Sequence, residues 1–185
     1  MATDTLKTPS ITNFDASAVV LPYAGMGAQG YRLCVNDHVA STAGATAGST
    51  YRMCRIPTNA KIKQVLLTAA STGTTGAYDI DIAHSDSTTD GTPVALQGNV
   101  VGIPSSDNKL FGAALSSTTA LKNSDITFSG TFTTAHQNLE LWNVLVGLGT
   151  TAFSADPGGF FDILLKTTTA NASAGDLAVE VEYVC

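Results

Sequence analysis

The segment Ala77–His84, "AYDIDIAH", alternates without a break: Tyr78, Ile80, Ile82 and His84 fall on one side, Asp79 and Asp81 on the other. The C-terminal "DLAVEVEYV" repeats the rule, setting Leu177, Val179, Val181 and Tyr183 opposite Glu180 and Glu182. A period of two belongs to extended chain, whose successive side chains point to opposite faces, so each segment reads as a strand with one face in a core. Wound as a helix, the same residues would scatter their apolar groups around the whole cylinder. The pattern recurs. "YRLCV" sets Tyr31, Leu33 and Val35 together, and "TYRMCRIP" sets Tyr51 with Met53 before Pro57 stops it. "KIKQVLLTA" runs into a buried stretch at Val65–Leu67, "DITFSGTF" aligns Ile126, Phe128 and Phe132, and "FFDILLKT" aligns Phe161, Ile163 and Leu165. Turn-forming clusters divide these runs at Ser71–Gly76, Ser87–Gly91, Asp156–Gly159 and Asn171–Gly175. About seven or eight short strands in series predict an all-β fold, an antiparallel β-sandwich of jelly-roll type.

One stretch departs from the rule. "LELWNVLVGLG", Leu139–Gly149, places Leu139, Trp142, Leu145 and Val146 on one stripe at helical spacing, with Gly147 and Gly149 as stop signals. It predicts a short helix near residues 137–147, whose apolar stripe is buried by closing an end of the sandwich. Residues 1–15 are polar and aperiodic and read as an extended N-terminal arm; residues 16–185 read as a single β-sandwich domain. A chain of 185 residues supplies one sizeable core and is short for two. Ala40–Ser49 and Val94–Asn108 read as loops.

Charge is scarce. Asp, Glu, Lys and Arg together make up 13% of the chain, about half the roughly 25% usual for soluble domains, while the formal net charge is −6. A chain so poor in charge is expected to have much of its neutral Thr-, Ala- and Gly-rich exterior covered by other subunits. Nine basic residues against fifteen acidic ones set the wrong sign for a phosphate backbone, so nucleic acid is not an expected partner. No window approaches the about 18 apolar residues of a membrane span, and the first residues lack a basic leader followed by an apolar stretch. Neither a membrane partner nor a signal peptide is expected.

The chemistry-bearing residues offer little constellation. "GMGAQG", Gly25–Gly30, satisfies G-x-G-x-x-G, but a strand-like run follows it where the dinucleotide fingerprint requires a helix, so it reads as a loop. Asp79 and Asp81 share one strand face and His84 the other, which prevents convergence on a metal; the carboxylates read as keeping an exposed face soluble. Asp86 and Asp90 lack the spacing of a dedicated calcium loop. Glu180 and Glu182 stand about 7 Å apart by strand geometry and read as a solvated face. His38, His84 and His136 are far apart in sequence, and no G-x-S-x-G occurs. Cys34, Cys54 and Cys185 form no C-x-x-C pair; Cys34 and Cys54 read as small buried hydrophobes. No catalytic, cofactor-binding or metal residue is therefore assigned, no cofactor is expected, and the chain is not expected to be an enzyme.

Four stretches taken in order carry a resemblance: "YRMCRIP" running into "NAKIKQVLL", "GAYDIDIAHSD", "LELWNVLVGLG" followed by "DP", and "SAGDLAVEVEYV". Over roughly Tyr51–Val184 the chain resembles small virion structural proteins of tailed bacteriophages, above all the decoration or cement type. The resemblance implies β-sandwich subunits, often dimers or trimers, seated on the capsid exterior with the major capsid protein as partner. It implies assembly in the bacterial cytoplasm and carries no catalytic residues across. The competing expectation is a jelly-roll receptor- or carbohydrate-binding module of a tail, spike or head fibre, for which Phe153 and Phe160 beside "DPGG" are the loop aromatics.

Overall fold

The alternating segments pair in a nested order. The computed structural model describes residues 5–7, 32–84, 109–149 and 153–185. Its strands are β1 (Thr5–Lys7), β2 (Leu33–Ser41), β3 (Thr50–Pro57), β4 (Lys61–Ala69), β5 (Ala77–His84), β6 (Gly112–Ser116), β7 (Leu121–Asp125), β8 (Phe160–Thr169) and β9 (Gly175–Val184). A 3-10 turn at Thr134–Asn138 leads into helix α1, Leu141–Gly147.

Strand β2 pairs with β9, β3 with β8, β4 with β7 and β5 with β6, all antiparallel. This is one long hairpin folded over on itself. Rolled up, it gives a four-stranded sheet in the order β2-β9-β4-β7 and a second sheet that contains β3-β8-β5-β6. Eight strands connected this way form a jelly roll, so the predicted all-β class and architecture hold. Strand β1 stands outside the roll. It extends the second sheet to five strands by pairing parallel with β3, Thr5 opposite Thr50, Leu6 opposite Tyr51 and Lys7 opposite Arg52.

The core lies between the sheets. Tyr51, Met53, Tyr78, Ile80, Ile82, Phe161, Ile163 and Leu165 on one side meet Ile62, Val65, Leu67, Leu177, Val179, Val181 and Tyr183 on the other, all buried. Alternation thus placed the inner face correctly on β5, β8 and β9. "DITFSGTF" is a correction: β7 ends at Asp125, and the chain then turns, burying Ile126 and Phe132 but leaving Phe128 about half exposed. Gly130 explains the break. A Cβ there would collide with the carbonyl oxygens of Lys109 and Leu110, because the Ser129–Phe132 backbone runs directly against Lys109–Gly112.

The helix is present but its stripe is shifted. Leu141, Val144 and Leu145 are the buried positions of α1, whereas Leu139 precedes the helix and is 39% exposed. The predicted stripe starts its count too early. Glu140 is the N-cap, and the first two N–H groups of the helix, Leu141 and Trp142, donate to the carbonyls of Ala60 and Thr58. Those bonds supply acceptors that a helix start lacks internally, and they fix which side faces the core. Trp142 is half-buried and donates its indole N–H to Glu140 Oε2 at 2.7 Å.

Candidate functional site

The two outer faces of the sandwich have opposite characters. On the five-stranded sheet, Arg52 and Arg55 are three residues apart and would point to opposite sides of a regular strand. The register shift between them on β3 changes this. One extra residue turns both Met53 and Cys54 inward, each fully buried, and leaves both arginines on the outer face. There they converge on Asp162 of β8: Arg55 Nε lies 2.7 Å from Oδ1, and Arg52 Nη2 lies 3.1 Å from Oδ2. Asp162 is fully buried.

Asp79 and Asp81 share this face on β5, and the expectation that they point to solvent is corrected: they are 5% and 1% exposed. Asp81 accepts from the backbone N–H groups of Lys109 and Ile82, at 2.9 and 2.8 Å. Asp79 accepts from the Ala114 N–H at 2.6 Å, and Lys109 Nζ stands 3.8 Å from its other oxygen. Both carboxylates thus pin the Lys109–Ala114 segment, whose ends, Lys109 and Ala114, hold positive φ of 53° and 48°. Local caps of this kind stabilise left-handed backbone that non-glycine residues otherwise avoid.

The outer face of the four-stranded sheet is open to solvent and carries small and polar groups. Cys34, Asn36, His38 and Ala40 are exposed along β2. Cys34 is therefore a correction to the buried reading, since its neighbours Leu33 and Val35 take the inner side; Cys54 is buried as expected. A depression of about 270 Å³ opens here, lined by Asn36, His38, Leu66, Thr68, Asn123 and Glu180 among others. Glu182 pairs with Arg32 at 2.9 Å. The Cys34 thiol is pushed up to about 11 by partial desolvation at the sheet surface and then by its hydrogen bond and charge repulsion with Glu180.

The remaining candidates are spread out. His136 sits in the 3-10 turn, where Nδ1 accepts from the Thr133 N–H and the ring packs edge-on against Phe132, 5.5 Å between centroids. His84 ends β5 and His38 lies on the other sheet, so the fold does not gather the three. Asp86, Asp90 and Gly25–Gly30 lie outside the described residues. Among the described residues no group of three His, Cys, Asp or Glu side chains is arranged to hold a metal ion. Phe153 packs against the core and Phe160 opens β8 half-buried, so neither offers a free ring. Among the described residues the exposed aromatic is Phe128, stacked on Phe132 at 6.2 Å. Sequence reading missed it because the even spacing of Ile126, Phe128 and Phe132 looks like a strand face.

No family model and no curated protein matches this chain. Among solved structures, a chain of the cyanophage Pam1 capsid asymmetric unit aligns over 91% of this chain and 95% of its own length, at 14% identity and a TM-score of 0.40. A score of that size lies below the level at which a shared fold is argued. No helix among the described residues is long and apolar enough to cross a membrane.

Proposed function

We propose that this chain is a structural virion protein of a tailed phage, seated on the capsid exterior, where it bridges and stabilises neighbouring capsid subunits. Its partners in this reading are the major capsid protein and further copies of itself, as a dimer or trimer, with no nucleic acid, membrane or cofactor involved and no turnover. The observation that carries the reading is the placement of the charges. The chain has only nine basic and fifteen acidic residues, and Arg52, Arg55, Asp79, Asp81 and Asp162 are withdrawn from solvent into one sheet face. Among the described residues, the exterior is poorer in charge than the composition alone implies. Interface centres are depleted in charge in the same way, and a rigid jelly roll presents broad faces for repeated contacts. The fold class supports the reading only by association, because jelly rolls serve viral capsids and lectins alike.

The test is quantitative mass spectrometry of purified virions, with copies counted against the major capsid protein, together with antibody labelling of intact particles. Hundreds of copies accessible from outside support decoration; about six to eighteen copies, or no labelling, overturn it. The second reading, a carbohydrate- or receptor-binding module, is favoured by the polar depression lined by Asn36, His38, Asn123 and Glu180. Strong glycan-array hits abolished by Asn123→Ala would transfer the assignment to it.

A further inference from the structure

Among the described strands, β1 is the one that the rolled hairpin does not account for. The eight strands β2–β9 close the jelly roll by antiparallel pairing, and Thr5–Lys7 joins afterwards, parallel, on the β3 side of the second sheet. Its connection is unusual too. Residues 8–32 separate it from β2, and β2 belongs to the opposite sheet.

Length shows what that connection can reach. At about 3.3 Å per residue, 25 residues span up to roughly 80 Å, whereas a domain of this size is about 40 Å across. Strands β2 and β3 pack together at the same margin of the sandwich. Returning β1 to its own β3 therefore uses a small part of the available reach. A stretch of that many residues is also long enough to reach the equivalent margin of an adjacent molecule. A three-residue parallel pairing is also too short to hold by itself, so the local concentration of arms and edges decides which β3 receives which β1. Between identical subunits that meet, exchange of an identical element forms the same contacts at little cost. The receiving site is specific: Leu6 is in register with Tyr51, a fully buried residue between Thr50 and Arg52, which are themselves buried.

We infer that β1 is exchanged between copies of this chain, with Thr5–Lys7 of one subunit completing the five-stranded sheet of the next. This rests on the reading of the protein as a subunit of an assembly. It names both the segment and the edge that link the copies.

The test uses the in-register pair Thr5 and Thr50. Two full-length variants, Thr5→Cys and Thr50→Cys, are each made with Cys34→Ser and Cys185→Ser, co-expressed, purified and oxidised at low concentration. At low concentration, where chance encounters are rare, a disulfide between these chains reports β1 of one molecule lying on β3 of another. Exchange predicts a covalent heterodimer on a non-reducing gel, absent when either cysteine is omitted. The double variant Thr5→Cys/Thr50→Cys in one chain should then give covalent oligomers. A double variant that yields only internally crosslinked monomer overturns the exchange, and one that yields no crosslink overturns the β1–β3 contact itself. Deleting residues 1–8 should reduce the oligomer while leaving the thermal unfolding of the jelly roll nearly unchanged. These results do not depend on virion copy number, so failure of exchange and failure of the capsid reading can be told apart.

Discussion

Arg55 Nε lies 2.7 Å from Asp162 Oδ1, with both side chains almost wholly removed from water and Arg52 bound to the other oxygen of the same carboxylate. Two guanidinium groups sharing one buried carboxylate is an arrangement in which each member depends on the rest. Asp162→Ala leaves both cations without that carboxylate in a low-dielectric setting, a loss of about 3–5 kcal/mol. For a chain of this length the melting temperature should fall by roughly 6–20 °C. The triple change Arg52→Met/Arg55→Met/Asp162→Leu should be less damaging than Asp162→Ala alone, because no stranded charge remains. Calorimetry of the two variants checks the order, and the reverse order would show that the network acts through something other than mutual neutralisation.

The carboxylates of Asp79 and Asp81 hold a strained segment. Asp81→Ala removes the acceptor of the Lys109 N–H and should cost about 1–3 kcal/mol, with the loss concentrated locally. Hydrogen exchange should accelerate over Lys109–Ser116 while the amides of β8 stay protected. Uniform acceleration across both sheets would contradict a local latch.

Helix α1 offers a sharp comparison between two leucines only two positions apart. Leu141→Ala empties a buried site and should cost about 2–5 kcal/mol. Leu139→Ala, at a residue 39% exposed, should change stability by less than about 0.5 kcal/mol. Equal effects would mean that the stripe begins at Leu139 after all.

The exposed Cys34 should be a poor nucleophile. With its thiol pushed up to about 11 from 9.0, alkylation at pH 8 should run on the order of 100-fold slower than for an unperturbed thiol. Glu180→Gln removes a hydrogen bond and a repulsion that favour the protonated form, and should speed the reaction while the desolvation remains. Unchanged kinetics in that variant would assign the whole effect to desolvation.

Alkaline conditions should weaken the fold. In the native state Cys34 is raised to about 11 and Tyr183 to about 12, chiefly by desolvation, against 9.0 and 10.0 when unperturbed. Below those ordinary values both groups are protonated whether folded or not, and their contribution is complete. As pH climbs past 9 the unfolded chain gives up these protons first, so stability declines until the native groups also ionise. At the acid end Asp125 is lowered by the Thr127 hydroxyl, with further help from the Thr127 N–H and Gln64, so its contribution is lost as pH drops below the ordinary carboxylate range. Urea midpoints from pH 3 to 11 should trace both limbs, and Tyr183→Phe should flatten the upper one.

Much of this architecture is legible in the residues. Period two fixed which side of β5, β8 and β9 is apolar, because inner faces obey a local rule. What lies over an outer face is not local, so Asp79 and Asp81 read as solvated although they are buried. Likewise Arg52 and Arg55 give no hint of meeting, since the bulge that aligns them depends on pairing with β8. Helix α1 was found by its spacing, but its rotation is set by the carbonyls of Thr58 and Ala60, some eighty positions earlier.

Withdrawing five ionised side chains into one flank has a consequence for crowding. The five are two cations and three anions, so the other charged residues still carry a net −5 of the chain's formal −6. Molecules crowded edge to edge would repel through that remainder, and concentrated salt should let them approach more closely than dilute salt does.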